Sequence, residues 1–310
     1  MSNPAVAASP RKSRLNHITM FDVINIALLL FITFLCFYPI YYAVIASFSD
    51  YNAVATGKVG LFPVGFQMTA YEAVFENEQI WQGYLNTILY TVGGTAFNLF
   101  LTIPAAYAMS KKRMLGHTLL TWFFLITMYF GGGMIPTYLL NKSLGLVNNP
   151  MIMVIAGGLS IYNMIVTRTY FENSIPESLY EAGRIDGSSE IGLFFRVALP
   201  LSMPIVAVMC LYYAVGHWNG YFTALIYLTK TKYQPLALVL RRILIMNQTA
   251  LDDAIASTDP NLLANAVTRA NLVVTMKYAL VMIASIPMLI LYPFIQKYFV
   301  KGVMIGSVKG

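Results

Sequence analysis

The part of this chain richest in chemically active side chains runs from Glu177 to Pro204, with the sequence ESLYEAGRIDGSSEIGLFFRVALPLSMP. Its carboxylates and guanidinium groups can form charge-assisted pairs with another protein, and its small residues permit close approach. Long apolar runs lie on both sides of it. Because a charged side chain at the centre of a bilayer costs roughly 2.5–3.5 kcal/mol on insertion scales, we expect this segment to lie in water.

The composition of the whole chain indicates a membrane protein. Of its 310 residues, 58% are hydrophobic and 11% are charged, whereas a soluble domain carries about 25% charged residues. The formal charge of +7 comes mostly from short basic clusters beside apolar runs. Such clusters predict membrane topology and argue against nucleic-acid binding. Cys36 and Cys210 lie inside apolar runs, and no cysteine–histidine cluster suggests structural zinc.

Six apolar runs are long enough to cross a bilayer, which takes about 20 residues. They cover residues 21–48, 84–109, 118–140, 150–170, 202–228 and 278–300. The predicted fold class is therefore all-α, a polytopic membrane protein with six transmembrane helices. Residues 1–20 form an N-terminal tail, 21–300 the transmembrane domain, and 301–310 a C-terminal tail. The first run is too long for the apolar region of a signal peptide, so we expect an uncleaved span.

Basic residues predict that both termini lie in the cytoplasm. They flank the first run, the loop after the second run and the last run, at Arg11, Lys12, Arg14, Lys111, Lys112, Arg113, Lys297, Lys301 and Lys309. Such residues favour the cytoplasmic side. Residues 229–277 are the exception. They form a long predicted outside loop, yet they carry basic residues at Lys230, Lys232, Arg241, Arg242, Arg269 and Lys277.

Local signals divide the charged segment into two short helices. Pro176 suits the first turn of a helix, and Asp186-Gly187 suits its end. Ser188 or Ser189 can cap a second helix. That helix repeats apolar residues with the spacing of one buried face, at Ile191, Phe194, Phe195 and Ala198. The sequence therefore predicts a helix–turn–helix at about 176–200, between spans four and five on the cytoplasmic side.

Several spans contain features that allow more than one interpretation. The glycine run that ends at Pro136 either marks a transport path or allows close helix packing. Gly93-Gly94 favours the packing interpretation. The fifth span contains Gly216-His217-Trp218-Asn219-Gly220-Tyr221-Phe222. Aromatic rings and an amide suit sugar binding, but an interfacial aromatic belt or interhelical hydrogen bonding explains the same residues.

The charged segment resembles the EAA loop of ABC importer permeases. The match consists of Glu181-Ala182-Gly183, Gly187, Leu199-Pro200 and Pro204, with Gly183 where the pattern has its second alanine. Residues 15–310 are similar to the carbohydrate-uptake branch of those permeases, and in particular to the shorter maltose-type subunit. Trp218-Asn219 with a following aromatic residue resembles span five of that branch.

The resemblance implies a transmembrane subunit in the bacterial plasma membrane that is not an enzyme and holds no cofactor. ATP and Mg would bind to a separate ATPase. The implied partners are a second permease subunit, two ATP-binding subunits and an extracytoplasmic sugar-binding protein. The implied ATPase-docking residues are Glu181, Ala182, Gly183, Asp186 and Gly187. The candidate substrate-path residues are Trp218, Asn219, Tyr221, Gly132 and Pro136.

Rival functions have weaker support in the sequence. A secondary transporter needs coupling-ion carboxylates within its spans, and no predicted span has an internal Asp or Glu clear of its ends. An intramembrane enzyme needs paired His or Asp residues, and no HExxH is present. The chain also lacks a GxxxxGK[ST] phosphate-binding loop. An ABC importer permease for a non-sugar solute stays as an alternative.

Overall fold

The computed structural model describes residues 20–257 and 260–307, and all regular structure in these two ranges is helical. The helices are α1 (Met20–Ser47), α2 (Tyr51–Ala55), α3 (Thr69–Glu76), α4 (Glu78–Ser110), α5 (His117–Tyr129), α6 (Met134–Ser143), α7 (Ile152–Ile155), α8 (Ile161–Ser174), α9 (Glu177–Ile185), α10 (Glu190–Leu193), α11 (Leu199–Leu201), α12 (Met203–Trp218), α13 (Tyr221–Tyr227), α14 (Leu236–Ser257) and α15 (Pro260–Ser307). A π-helical turn, Phe194–Ala198, joins α10 to α11, and a 3₁₀ turn covers Thr231–Tyr233.

The all-helical, multi-span class is confirmed. Among the described helices, α1, α4 and the Pro260–Ile290 part of α15 are long and apolar enough to cross a membrane. Two strongly bent pairs raise the count to five if each pair is one span. They are α5 with α6, bent by 111°, and the Glu190–Leu201 segment with α12, bent by 79°.

The prediction of one continuous helix at 150–170 is wrong. The structure has two helices there, α7 and α8, separated by residues 156–160. The cause is local, because Gly157 has a φ of +72°, a left-handed conformation that ends a helix. The side chain of Ser160 then caps α8 by accepting a hydrogen bond from the backbone N–H of Asn163 at 3.4 Å.

Helix α4 lies at the centre of the bundle and packs against α7, α8, α12 and α14. Its buried polar side chains bind the backbone of neighbouring segments. Asn86 donates to the carbonyls of Lys232 (2.8 Å) and Gln234 (3.0 Å), and the Thr87 hydroxyl accepts from the Leu236 N–H at 2.9 Å. These bonds fix the start of α14 against α4.

The segment 229–277, predicted as a loop, is mostly helical. It contains α14 and the first part of α15, so the predicted sixth span is the continuation of a much longer helix. Apolar side chains explain the difference. Leu236 and Val239 of α14 and Val273 and Met276 of α15 are buried in one shared cluster, and such an apolar face stabilises a helical hairpin.

Helices α5 and α6 contain no buried residue. Most apolar residues of α1 are also exposed in the chain taken alone. Exposed apolar surface of this extent is covered by lipid or by another subunit in a membrane protein. Most of the buried residues in the described fold lie at the end of α1 and in α2 to α4, α7 to α10 and α12 to α15.

Candidate functional site

The predicted turn between the two helices of the charged segment is confirmed. Asp186 is the last residue of the α9 cap, and Gly187 follows with a φ of +77°. The N–H of Ser188 donates to the Gly183 carbonyl at 2.9 Å, and the N–H of Gly187 donates to the Arg184 carbonyl at 3.0 Å. These paired bonds form a Schellman motif, which satisfies the free carbonyls at the helix end. The Ser189 side chain then caps α10.

Tyr180 anchors α9 to the membrane bundle. Its side chain is 2% exposed and belongs to a buried cluster with Tyr107 of α4, Phe171 of α8 and Phe194. The Lys111 ammonium, at the end of α4, lies 3.0 Å from the centroid of the Tyr180 ring. Burial lowers the pKa of Lys111, and it raises the pKa of Tyr180 to about 12. The phenol is therefore neutral near pH 7, and α9 is held by packing and a cation–π contact.

The charges of this segment have two different roles. Arg184 pairs with Glu177 at 3.4 Å and with Glu190 at 3.1 Å, so its charge joins α9 to α10. From the sequence, the guanidinium groups of this segment were expected to be available to another protein. The Arg184 guanidinium is instead engaged in these two ion pairs within the chain. Glu181 and Asp186 are exposed, and within the described residues neither side chain has an ion pair or a hydrogen bond. Two acidic groups remain open to a partner.

The predicted buried face of the second helix is only half correct. Phe194 and Ala198 are buried, as is Leu193, but Ile191 is 72% exposed and Phe195 is 59% exposed. Phe195 lies in the π-helical turn over Phe194–Ala198, where the wider helical spacing changes which positions share a face. Ile185, 86% exposed, adds to the same kind of surface. These three apolar residues were missed by the sequence analysis as candidate docking residues.

The small residues of the loop also divide into two groups. Ala182 and Gly187 are exposed, and a Cβ added at Gly187 would meet nothing within 4 Å. Gly183 instead faces inward, where an added Cβ would overlap the side chain of Leu193. Gly183 therefore allows α9 to pack closely on α10. Ala182 and Gly187 leave the outer surface without large side chains, so a partner can approach the backbone.

A polar pair inside the bundle connects α4 with α12. Asn98 is 1% exposed and donates to the carbonyls of Gly157 (3.1 Å) and Gly158 (2.8 Å), while its carbonyl oxygen lies 2.5 Å from Nε2 of His217. A Cβ added at Gly94 would overlap the His217 ring. The interhelical interpretation of His217 and the packing interpretation of Gly94 are thus confirmed. A cavity of about 200 Å³ beside this pair is lined by Tyr212, Tyr213, His217 and Thr223, among others.

The three substrate-path candidates at the end of α12 have different surroundings. Trp218 lines an almost wholly apolar cavity of about 470 Å³ between α4, α12 and α15, and its ring centroid is 6.0 Å from that of Tyr84. Asn219 is exposed and donates to the Val215 carbonyl at 3.0 Å, which closes the helix end. Tyr221 starts α13, with the Arg241 guanidinium 5.6 Å from its ring centroid. Of these three residues, Tyr221 is the one with a cation beside its half-buried ring.

Gly132 and Pro136 lie at the bend between α5 and α6, and both are exposed. Gly133 between them has a φ of +84°, a conformation that L side chains rarely adopt. A Cβ added at Gly131 or Gly133 would meet nothing within 4 Å, and one added at Gly132 would meet the side chain of Pro136 in α6. The run therefore makes a sharp bend without helix packing inside this chain.

The fold and the site define a multi-span membrane protein with an anchored surface loop, and the sequence comparison agrees with that class. Residues 80–305 match the family described as the binding-protein-dependent transport system inner membrane component. The matched region covers most of the chain, including the charged segment and α12. Within residues 20–257 and 260–307, no group of three or more His, Cys, Asp or Glu residues could hold a metal ion.

Individual relatives and one solved structure extend over nearly the whole chain. The chain is 36% identical over 295 residues to the polygalacturonan/rhamnogalacturonan transport system permease protein YtcP of Bacillus subtilis (strain 168), covering 94% of this chain and 99% of the relative. It is 38% identical over 291 residues to Protein LplC of the same organism, covering 94% and 95%. The crystal structure of a bacterial ABC transporter involved in the import of the acidic polysaccharide alginate matches with a TM-score of 0.79 at 34% identity, covering 94% of this chain and all of that chain.

This chain belongs to the family of binding-protein-dependent transport system inner membrane components. It is a permease subunit of an ABC importer, a multi-pass component of the cytoplasmic membrane without a catalytic role. Membership in the family implies a separate ATPase and a solute-binding protein as partners.

Proposed function

We propose that this chain forms half of the translocation path of an ATP-driven importer for oligosaccharides and receives force from an ATPase through the segment Glu177–Leu201. The observation that carries this proposal is the two-sided design of that segment. One side is bound to the bundle through Tyr180, while the other presents Glu181, Asp186, Ile185 and Ile191 without partners in the described chain. Exposed apolar residues beside unpaired carboxylates suit a protein interface.

The contacts of α9 and α10 support a mechanical role. A push on α9 would reach α4 through Tyr107, Tyr180 and Lys111. The segment from Glu190 continues into α12 after a bend of 79°, so the same push would also turn α12. Because α12 is tied to α4 by the His217–Asn98 hydrogen bond, α4 and α12 would move together as one rigid body.

The topology we propose has six spans with both termini in the cytoplasm, where α7 and α8 together make the fourth span. The basic residues Lys111, Lys112 and Arg113 after α4 support the cytoplasmic side for Glu177–Leu201. A second permease subunit, as a heterodimer, would cover part of the exposed apolar surface of α5 and α6.

The substrate class rests on the relatives and on the end of α12. The YtcP protein and the alginate importer are both named for the transport of polysaccharides. We infer that Trp218, Asn219 and Tyr221 contribute to the path for an oligosaccharide, and that Gly132 and Pro136 shape it. Aromatic rings and amides supply the stacking and hydrogen bonds that sugars need.

The tip of the α14–α15 hairpin is proposed to contact the extracytoplasmic sugar-binding protein. On either side of residues 258–259, α14 and α15 carry exposed apolar side chains at Met246, Ile255 and Leu262. Deletion of residues 247–262 is expected to abolish delivery of substrate while ATPase assembly persists. Uptake that continues unchanged after the deletion would contradict this contact.

The docking proposal is tested by reversing one exposed charge. Glu181→Lys is expected to prevent co-purification of the ATPase and to reduce ATP-driven oligosaccharide uptake in vesicles at least tenfold. Glu72→Lys is the matched control, because Glu72 is also exposed but lies in α3, on the proposed outer side. If Glu181→Lys leaves both assembly and uptake intact, the docking assignment is wrong.

A further inference from the structure

The segment after α13, which includes the start of α14, carries several positive charges and no negative one. Between Leu228 and Ile243 the chain has four basic residues, Lys230, Lys232, Arg241 and Arg242, and no acidic residue. The ion pairs found in the described part of the chain involve only Arg168 and Arg184 as cations. Glu78 and Lys232 line the same space of about 350 Å³. Lys and Arg are usually enriched on the cytoplasmic side of a membrane protein. Because these four cations lie on the proposed outer side, topology does not explain them and a binding role is considered.

The two arginines of this group have different surroundings. Arg242 is half-buried, and its guanidinium donates to Thr231 at 2.8 Å, to Gln234 at 2.9 Å and to Gln79 at 2.9 Å. Those neutral acceptors hold the start of α14 against α4, so Arg242 has a structural role. Arg241 is exposed and has no hydrogen-bond acceptor among the described residues; its contact is the Tyr221 ring at 5.6 Å. The donors of Arg241 are therefore free to bind a ligand.

Arg241 lies beside the break at the end of α12. Tyr221 follows that break directly, and its N–H donates to the Asn219 carbonyl at 2.7 Å. The start of α14 is fixed on α4 by Asn86 and Thr87, so the guanidinium is positioned by a packed framework. A rigid aromatic ring and a free guanidinium thus stand together at the proposed substrate path.

This pair of groups matches the chemistry of one class of sugar. A pyranose ring stacks on an aromatic face, and a guanidinium binds a carboxylate with two parallel hydrogen bonds. A hexuronic acid residue offers both features at once, whereas a neutral hexose offers only the first. The surrounding cations Lys230 and Lys232 would also raise the local concentration of a polyanion.

We propose that Arg241 and Tyr221 form a subsite for a uronic acid residue, so that the transported oligosaccharide is acidic. This inference rests on the proposed function, because it assumes that the α12–α13 break faces the sugar. It adds a charge requirement to that function and assigns it to one residue.

The test compares two trimers with the same sugar backbone, one acidic and one neutral. The full complex, with its second permease, ATPases and binding protein, is reconstituted in vesicles and supplied with trigalacturonate or with its methyl-esterified, neutral form. Arg241→Gln is expected to lower uptake of trigalacturonate about tenfold, the size of one lost charge-assisted contact, and to change uptake of the ester less than twofold. Arg241→Lys keeps the positive charge but loses the two parallel hydrogen-bond donors of the guanidinium. Its uptake of trigalacturonate is expected to lie between that of the wild type and that of Arg241→Gln.

Lys58→Gln is the control for loss of one positive charge, because Lys58 is exposed near α2, away from the break. It is expected to leave uptake of both trimers unchanged. Equal loss of both substrates in Arg241→Gln, or no loss in either, would overturn the subsite while leaving the sugar function standing. If the wild-type complex hydrolyses ATP but carries neither trimer nor any neutral oligosaccharide, the proposed function itself fails.

Discussion

Two glycine-marked breaks in this chain have opposite structural support. At the turn between α9 and α10, Gly187 ends a helix whose Tyr180 is buried and whose Arg184 bridges to the next helix. At the bend between α5 and α6, Gly133 has a similar positive φ, but no residue of either helix is buried. Similar sequence signals therefore produce one turn anchored by a buried residue and one bend without a buried residue, although Tyr138 and Asn141 beyond the bend contact Tyr227 of α13.

The difference indicates where each break obtains its rigidity. The α9–α10 turn is held by its own chain, so it can transmit force from a partner before any other subunit is added. The α5–α6 bend is held less firmly, because its two helices have no buried residue and are attached to the rest of the chain through half-buried side chains, such as Tyr138 stacked on Tyr227. A transport subunit needs both kinds of element, because a lever must be stiff and a path must be able to change shape.

The largest expected effect comes from removing the anchor of the stiff turn. Tyr180→Ala should lower the free energy of unfolding by about 3–5 kcal/mol, because it removes a large buried aromatic ring. Tyr180→Phe should have little effect, since the buried hydroxyl has no hydrogen-bond partner in the described chain. Thermal unfolding of the purified chain in detergent measures both changes.

Tyr129→Ala is the matched control at the other break, because Tyr129 ends α5 and is 74% exposed. It should change the free energy of unfolding by less than about 0.5 kcal/mol. Similar losses for Tyr180→Ala and Tyr129→Ala would remove the proposed contrast between the two breaks.

A second pair of variants distinguishes which break lies in the bilayer. Phe123 of α5 and Phe195 of the π-helical turn are 57% and 59% exposed, but we expect lipid around the first and water or an ATPase around the second. Phe123→Arg should therefore reduce membrane insertion by about 2.5–3.5 kcal/mol. Phe195→Arg should insert normally and lose the ATPase. Insertion assays and co-purification measure the two effects, and the opposite pattern would reverse the assignment.

The sequence contained the local chemistry of the stiff turn but not its packing. Gly187 and Ser189 could be assigned from residue type, since a left-handed glycine and a serine cap act within a few residues. The exposed position of Phe195 could not, because a π-helical turn changes the helical spacing. The His217–Asn98 bond joins residues far apart in the chain, so neither local pattern nor composition contained it. The break at Gly157 could have been predicted from the Gly157-Gly158 pair. It was missed because the span at 150–170 was assigned from its hydropathy alone.

The smallest effect concerns the backbone conformation of the stiff turn. Gly187→Ala should lower the free energy of unfolding by about 1–2 kcal/mol, because the φ of +77° at this position brings a Cβ too close to the backbone carbonyl. Gly131→Ala is its control, since Gly131 lies in the glycine run of the α5–α6 bend, has no positive φ, and has no neighbour that an added Cβ would meet. It should leave the stability unchanged or raise it slightly by restricting the unfolded chain. Chemical or thermal unfolding in detergent compares the two alanine variants. A larger loss at Gly131 than at Gly187 would mean that the α5–α6 bend is the more constrained of the two.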